Sequence, residues 1–242
     1  MNGPTIYPVG DQVAVVQFGE DISKDTHEQV MLFEKLIRNS SIKGLVDIIP
    51  TYHSVAVYYN WRVLQFDHVR ALLEEMLAET ENSKTSMSKR TVTIPVCYDE
   101  QYGPDLDHLQ QYHQISKKDI IRLHTEQIYL VYMIGFLPGF PYLGGLNKRL
   151  DTPRLETPRA TVPSGSVGIA GNQTGIYPLE SPGGWNLIGR TPVSLFDPEQ
   201  DEPTLLKMGD LLRFQSISGE EYREIEQGQL GNQVIQIEWE DE

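Results

Sequence analysis

The chain has 242 residues, a mass of 27.5 kDa and 39% hydrophobic residues, enough for one large core or two modest ones, which excludes a disordered or fibrous protein. Its 34 acidic residues against 20 basic ones give a formal charge of −14, which argues against gripping nucleic-acid phosphates. The single cysteine, Cys97, forms no intramolecular disulfide and has no Cys/His companions for zinc, so no metal site and a reducing, cytoplasmic location are expected.

Residues 1–12 carry neither a basic stretch nor a long apolar core, so an unprocessed, soluble protein is expected. QVAVVQF at 12–18 alternates as a strand. Thr26 with Gln29 reads as a capping box opening a helix through Val30, Phe33, Leu36 and Ile37. LVDII at 45–49 and SVAVYY at 54–59, joined by a turn containing Pro50, predict a hairpin. Asp67 is placed to cap a second helix whose Val69, Leu72, Leu73, Met76 and Leu77 share one face. Two helices on one face of a small, largely antiparallel sheet predict an independent α/β domain at residues 1–80.

The following stretch, 81–90, has Met87 as its one apolar residue and reads as a linker that limited proteolysis should cut. A second domain is expected at 91–242. TVTIPVC opens it as a strand, Ser116 and Asp119 cap a short helix ending near His124, and QIYLVYMI at 127–134 reads as a buried strand. The most apolar run, Ile128 to Leu137, is stopped by Pro138 well short of a membrane span. Between Gly135 and Pro192 stand 11 of the 20 glycines and eight of the 15 prolines, a density that favours short strands and tight turns. LLRFQSIS at 211–218 and VIQIEWE at 234–240 supply further strands. The expected class is therefore α+β, an α/β domain followed by a β-rich barrel or sandwich. Charge is uneven. Residues 197–242 hold 13 acids against Lys207, Arg213 and Arg223, whereas 135–192 holds five basic residues against three acids and can welcome an anion.

The most informative motifs lie in that locally basic stretch: GFLPGFPYLGGL at 135–146, TPRLETPRATVPSGSVGIAGNQTGIYP at 152–178 and SPGGWNLIGRTP at 181–192. With DQVAVVQFG, CYDEQYGPDLDHL, LFDP and MGD, they closely resemble the allophanate hydrolase subunit 1 family, which includes the B subunits of bacterial 5-oxoprolinases and the Kip-type inhibitors of a sporulation histidine kinase. The resemblance implies a cyclophilin-like β-barrel after a smaller α/β domain. It also implies an ATP-dependent activity, with magnesium, that opens 5-oxoproline to L-glutamate in complex with the C and A subunits of the enzyme. A binding protein that blocks a sensor histidine kinase, or a component of a urea carboxylase or allophanate hydrolase system, is implied as an alternative.

Arg154 and Arg159 each follow a proline that restricts the backbone, and guanidinium forks suit carboxylates. Either holds a ligand or ties loops together through carbonyls. Ser164, Gly165 and Ser166 form a hydroxyl-rich turn whose N–H groups can face an anion, or a plain tight loop. Gly183 and Gly184 permit close backbone approach beside Trp185 and Arg190, with a barrel plug as the competing role for the tryptophan. Gln173 and Tyr177 are polar residues able to hydrogen-bond a lactam or carboxylate. Phe136, Phe140 and Tyr142, around Pro138 and Pro141, are expected to meet the C subunit. Arg154, Arg159 and Arg190 are expected to converge on one anion site.

Several signals fail on inspection. Ser166 lacks the first glycine of a nucleophile elbow, and His27-Glu28 lacks the second histidine of a zinc helix because position 31 is Met. No G-x-x-x-x-G-K-[ST] occurs, so a nucleotide site must be of another kind or come from a partner, and the isolated chain is expected to be inactive. No catalytic residue is assigned. His124 reads as a helix-end imidazole near terminal carbonyls, and His53 as a surface residue.

Overall fold

The structure is a computed structural model that describes residues 3–21, 23–82, 89–229 and 235–240. The chain divides into two compact units, Met1–Met87 and Ser88–Glu242.

The first unit runs β1 (Thr5–Val9), β2 (Val13–Gln17), α1 (Lys24–Asn39), β3 (Leu45–Pro50), β4 (Ser54–Tyr59) and α2 (Phe66–Asn82). Its four strands lie antiparallel in the order β1-β2-β4-β3. Alternation in β4 buries Val55, Val57 and Tyr59 against Val30, Phe33 and Ile37 of α1 and Val69 and Leu73 of α2. Each such aliphatic or phenyl side chain contributes roughly 1.5–3 kcal/mol by leaving water. The α1 cap lies one turn earlier than the sequence suggests. Ser23 Oγ accepts from the Thr26 N–H at 3.1 Å, and the helix begins at Lys24. Helix α2 runs through Asn82 and the next strand starts at Lys89, so both ends of the 81–90 stretch lie in regular elements, while 83–88 lie outside the described residues.

The second unit contains β5 (Lys89–Cys97), α3 (Leu106–His113), α4 (Lys117–Thr125), β6 (Ile128–Ile134), β7 (Pro141–Gly144), β8 (Arg159–Val162) and β9 (Ser166–Ala170). It continues with β10 (Gln173–Ile176), β11 (Ser181–Gly183), β12 (Asn186–Arg190), β13 (Leu211–Ile217), α5 (Gly219–Glu226) and β14 (Gln236–Glu240). Seven strands form a ring in the order β12-β9-β10-β7-β6-β13-β5, closed where Arg190 of β12 pairs with Cys97 of β5. Closure removes two strand edges that would otherwise stay open, which is how short, glycine-broken strands make a stable sheet. Strand β14 adds to β5 outside the ring, and β8 with β11 forms a separate two-stranded ribbon. This is the α+β architecture with a closed barrel that the sequence leads one to expect; β1, α3 and α5 are additions to it.

The barrel is filled by Val92, Ile94, Val96, Tyr129, Val131, Leu143, Ile169, Ile176, Leu212 and Phe214, with Leu109, Ile120 and Leu123 from α3 and α4. His124 belongs to this core rather than to a helix-end carbonyl. Its Nδ1 lies 2.8 Å from Tyr98 Oη and its Nε2 3.0 Å from Thr174 Oγ1, and its ring stacks on Phe214 at 4.5 Å. Complete burial, with no opposing charge, pushes the imidazole down to about 3, so it is neutral at physiological pH. Among the described residues no helix is long and apolar enough to cross a membrane.

Candidate functional site

The loop between β6 and β7 turns tightly, with Leu137 N–H donating to Gly135 O, Phe140 N–H to Leu137 O and Gly135 N–H to Phe140 O. The turn holds Phe136 at φ +69°, a left-handed conformation unusual for a bulky residue, with its ring 64% exposed. Phe140, four residues on, meets the Phe136 ring edge-on at 5.6 Å but lies inside. It is 2% exposed and packs edge-on against Tyr177 and Trp185 at 5.4 and 5.6 Å. Val162, Ala170 and Leu187 complete this aromatic cluster, and Tyr142 lies half-buried at its margin. The expectation that Phe136, Phe140 and Tyr142 together face a partner is therefore corrected. Phe140 is core, because edge-to-face packing with two rings fixes it inside, and Phe136 alone of the three is broadly exposed.

Trp185 is likewise only 5% exposed, so it acts as a packed wall and not as an open stacking surface. Gly183 serves the same packing. A Cβ there would collide with Tyr177 Oη, so no other residue lets the ribbon β8–β11 approach the tyrosine. Burial raises the Tyr177 phenol, opposed by a hydrogen bond from the Trp185 backbone and by the charges of Arg154 and Arg159. Tyr142 is raised by burial and opposed by Arg154.

The segment carrying Arg154 is fixed on both sides. Thr152 bridges to Gly171, Pro153 O accepts from Asn186 Nδ2 at 2.8 Å, and Leu155 N–H donates to Gly184 O at 2.8 Å. Arg159 reaches the same wall from β8. Its Nη1 donates to Trp185 O at 3.3 Å, and its Nη2 donates to Asp105 Oδ1 at 2.6 Å. Asp105 is buried, and its second oxygen accepts from the Leu187 N–H at 2.6 Å. At the start of α3 the Asp105 side chain makes no cap bond, because both its oxygens are engaged across the fold. Local sequence pattern does not single out Asp105, which is visible there only as one residue of the DLDHL motif.

Arg190 does not join the other two. Its Nε donates to Ser164 O at 2.7 Å, and its charge acts on Tyr102 and Tyr222 instead of Tyr177. The turn at 164–166 is closed on itself. Ser164 Oγ donates to Pro178 O, Gly165 N–H to Tyr177 O and Ser166 N–H to Pro163 O, and Ser166 is 3% exposed. Gly165 adopts φ +81° where a Cβ would collide with Thr191 O, so this glycine is required by the turn itself. With those donors occupied, the turn does not fit a phosphate cradle for ATP. Gln173 lies half-buried at the start of β10. His53 is also half-buried, with Nδ1 3.2 Å from Gln17 Nε2. No group of three or more metal-ligating side chains gathers among the described residues.

The geometry thus brings Arg154, Arg159, Tyr142, Tyr177, Gly183, Gly184 and Trp185 together, while the 164–166 turn adjoins them through the Tyr177 and Pro178 backbone and takes Arg190 on its own carbonyl. The family model for the carboxyltransferase domain, subdomains C and D, matches residues 4–206. The B subunit of 5-oxoprolinase from Bacillus subtilis (strain 168) is 40% identical over 227 residues, covering 90% of this chain and 94% of that protein. The crystal structure of TTHA0988 is 35% identical with a TM-score of 0.76 over 86% of this chain, which spans 40% of TTHA0988. The crystal structure of the K. lactis urea amidolyase is 20% identical with a TM-score of 0.81 over 98% of this chain and 16% of that one, a likeness of fold. The chain belongs to the carboxyltransferase-domain family, subdomains C and D, and is similar over most of its length to the B subunit of 5-oxoprolinase.

Proposed function

We propose that this chain is the B subunit of an ATP-dependent 5-oxoprolinase, opening 5-oxoproline to L-glutamate together with the C and A subunits. The observation that carries the reading is its 40% identity across 94% of the Bacillus subtilis protein of that name. The exposed Arg154 at the margin of the aromatic cluster supports it, since a compact lactam carboxylate needs a cation for its anion, and the half-buried Tyr142 offers ring surface there. A five-membered lactam is a stabilised amide. Phosphorylating its carbonyl oxygen makes it hydrolysable, and that step needs a positioned nucleotide. Because the sequence carries no Walker motif and the Ser164 hydroxyl and the Gly165 and Ser166 N–H groups are engaged within the fold, we place ATP and its magnesium at a site that a partner supplies, with this chain contributing substrate binding. Phe136, exposed beside the cluster, is the residue we place against the C subunit.

The test is glutamate formation from 5-oxoproline and ATP by the chain alone and by the chain co-purified with the A and C subunits. Turnover is expected only from the assembled complex. A complex without turnover, together with stoichiometric inhibition of a sensor histidine kinase by the chain, would replace this reading with the kinase-inhibitor one.

A further inference from the structure

The structure divides the labour of Arg154, Arg159 and Arg190, the three arginines expected at one anion site. Arg159 is committed: Asp105 takes one arm of its fork and the Trp185 carbonyl the other, and its side chain is only 30% exposed. Arg190 is engaged through Nε by the Ser164 carbonyl. Arg154 is different. It is exposed, and its guanidinium has no hydrogen-bond or ion-pair partner among the described residues.

Arg62, Arg149 and Arg213 likewise form no ion pair among the described residues, so what distinguishes Arg154 is its place beside the aromatic cluster. Its backbone is not loose. The residues around it are fastened by the Thr152–Gly171 bridge, by Asn186 Nδ2 on Pro153 O and by Leu155 N–H on Gly184 O. The Cα of Arg154 is therefore fixed beside the Gly184–Trp185 loop, and only the side-chain torsions remain to be ordered when an anion arrives. Pre-placing a cation in this way reduces the entropic cost of binding. Around it lie Tyr142 and Tyr177, close enough for their phenols to feel its charge, with Phe140 and Trp185 behind them. Phe140, Tyr177 and Trp185 are buried, so the accessible ring of the cluster is the half-buried Tyr142, and an exposed arginine fork near a phenol suits a carboxylate attached to a small ring.

We propose that Arg154 is the residue that grips the carboxylate of a small ring-bearing monocarboxylate at this cluster, with Arg159 fixed by Asp105 as a positioning residue for the Trp185 wall. The assignment rests on the proposed function for the identity of the natural ligand, 5-oxoproline, but not for the class of anion. A carboxylate side chain of a partner protein offers the same chemistry, and the retention measurement below separates it from the free ligand.

The experiment is a nuclear magnetic resonance titration of the full-length chain with two probes, 5-oxoproline and cyclopentanecarboxylate, the second having the ring and the anion without the lactam. Wild type is expected to bind both saturably, and Arg154→Gln to weaken both by about tenfold or more, the loss of one charge-assisted pair. Arg190→Gln is expected to leave both affinities within about twofold. Wild-type affinity in the Arg154→Gln chain, or no saturable binding of either probe by wild type, overturns the proposal. Arg154→Gln that binds both probes normally but no longer retains the C subunit also overturns it, and assigns the arginine to a partner's carboxylate. Arg154-dependent binding of both probes with no preference for 5-oxoproline, and no lactam opening by the complex, leaves the assignment standing and removes the proposed enzyme.

Discussion

Two regions of the barrel unit hold polar side chains against apolar walls, and they handle them in opposite ways. Around His124 both ring nitrogens have partners, the ring is neutral and fully buried, and Tyr98 and Thr174 close the network. Around Tyr177 the aromatic wall is just as well packed, but its margin carries an arginine fork that the chain itself does not satisfy. Titratable chemistry in a packed environment is thus no sign of a site by itself. What separates the two regions is an exposed, unused donor at the margin of one of them.

Asp105 is where the contrast between the regions breaks with the largest effect. Replacing it by Ala strands the partly buried Arg159 fork and the Leu187 N–H, and breaking such a pair typically costs about 3–5 kcal/mol. The thermal midpoint of the barrel unit should fall accordingly. A midpoint within a degree or so of wild type would show that the clamp is loose and that Arg159 is available to ligand after all.

A smaller effect is expected at Gly183, where Ala forces a Cβ toward Tyr177 Oη. Overpacking of this kind costs about 1–3 kcal/mol, and it should quench the difference between open and closed regions by displacing the wall. Loss of 5-oxoproline binding together with a destabilisation of that size is the expected pattern in calorimetry; retention of full affinity would place the ligand elsewhere.

The closed region predicts a pH dependence. Burial holds the His124 imidazole down at about 3, so from the unfolded value of about 6.5 down to about 3 the unfolded chain binds a proton that the folded chain refuses. This contribution is fully present above pH about 6.5 and is lost as pH falls, at about 1.4 kcal/mol per pH unit inside the window. Denaturation midpoints measured between pH 4 and 7 should show that slope in wild type and a shallower one in His124→Gln. Equal slopes would mean that the imidazole is charged or solvated in the folded chain.

The smallest stability effect belongs to Phe136→Ala, within about 0.5 kcal/mol because the ring is largely in water. Its expected consequence is weaker retention of the C subunit in pull-down. Unchanged retention would separate the exposed ring from the partner surface.

Much of this fold is legible from local pattern. The hairpin Leu45–Pro50 to Ser54–Tyr59 and the helix Lys24–Asn39 follow from period alone, because each buries one face against a neighbour close in sequence. The glycine and proline density of 135–192 announces short strands, and short strands are what form there. What local pattern does not carry is commitment. Arg154 and Arg159 look alike as Pro-Arg dipeptides, and only an aspartate 54 positions from Arg159 makes one of them structural. Phe136 and Phe140 share a motif, yet a left-handed turn sends one outward and the other into the core. His124 resembles a helix end because its partners, Tyr98 and Thr174, lie 26 and 50 residues away. Side-chain identity is visible locally, whereas the partner that engages it is set by the closed ring of strands.

The most direct measurement compares Arg154→Gln with His124→Gln in the assembled complex, reading kcat/KM for 5-oxoproline and the thermal midpoint of each variant. The division between open and closed regions predicts that Arg154→Gln lowers kcat/KM by about tenfold to a hundredfold with the midpoint unchanged, a loss of one charge-assisted carboxylate pair. It predicts that His124→Gln lowers the midpoint and leaves kcat/KM of the folded complex as in wild type. The reverse pattern, with catalysis lost at His124 and untouched at Arg154, would contradict it.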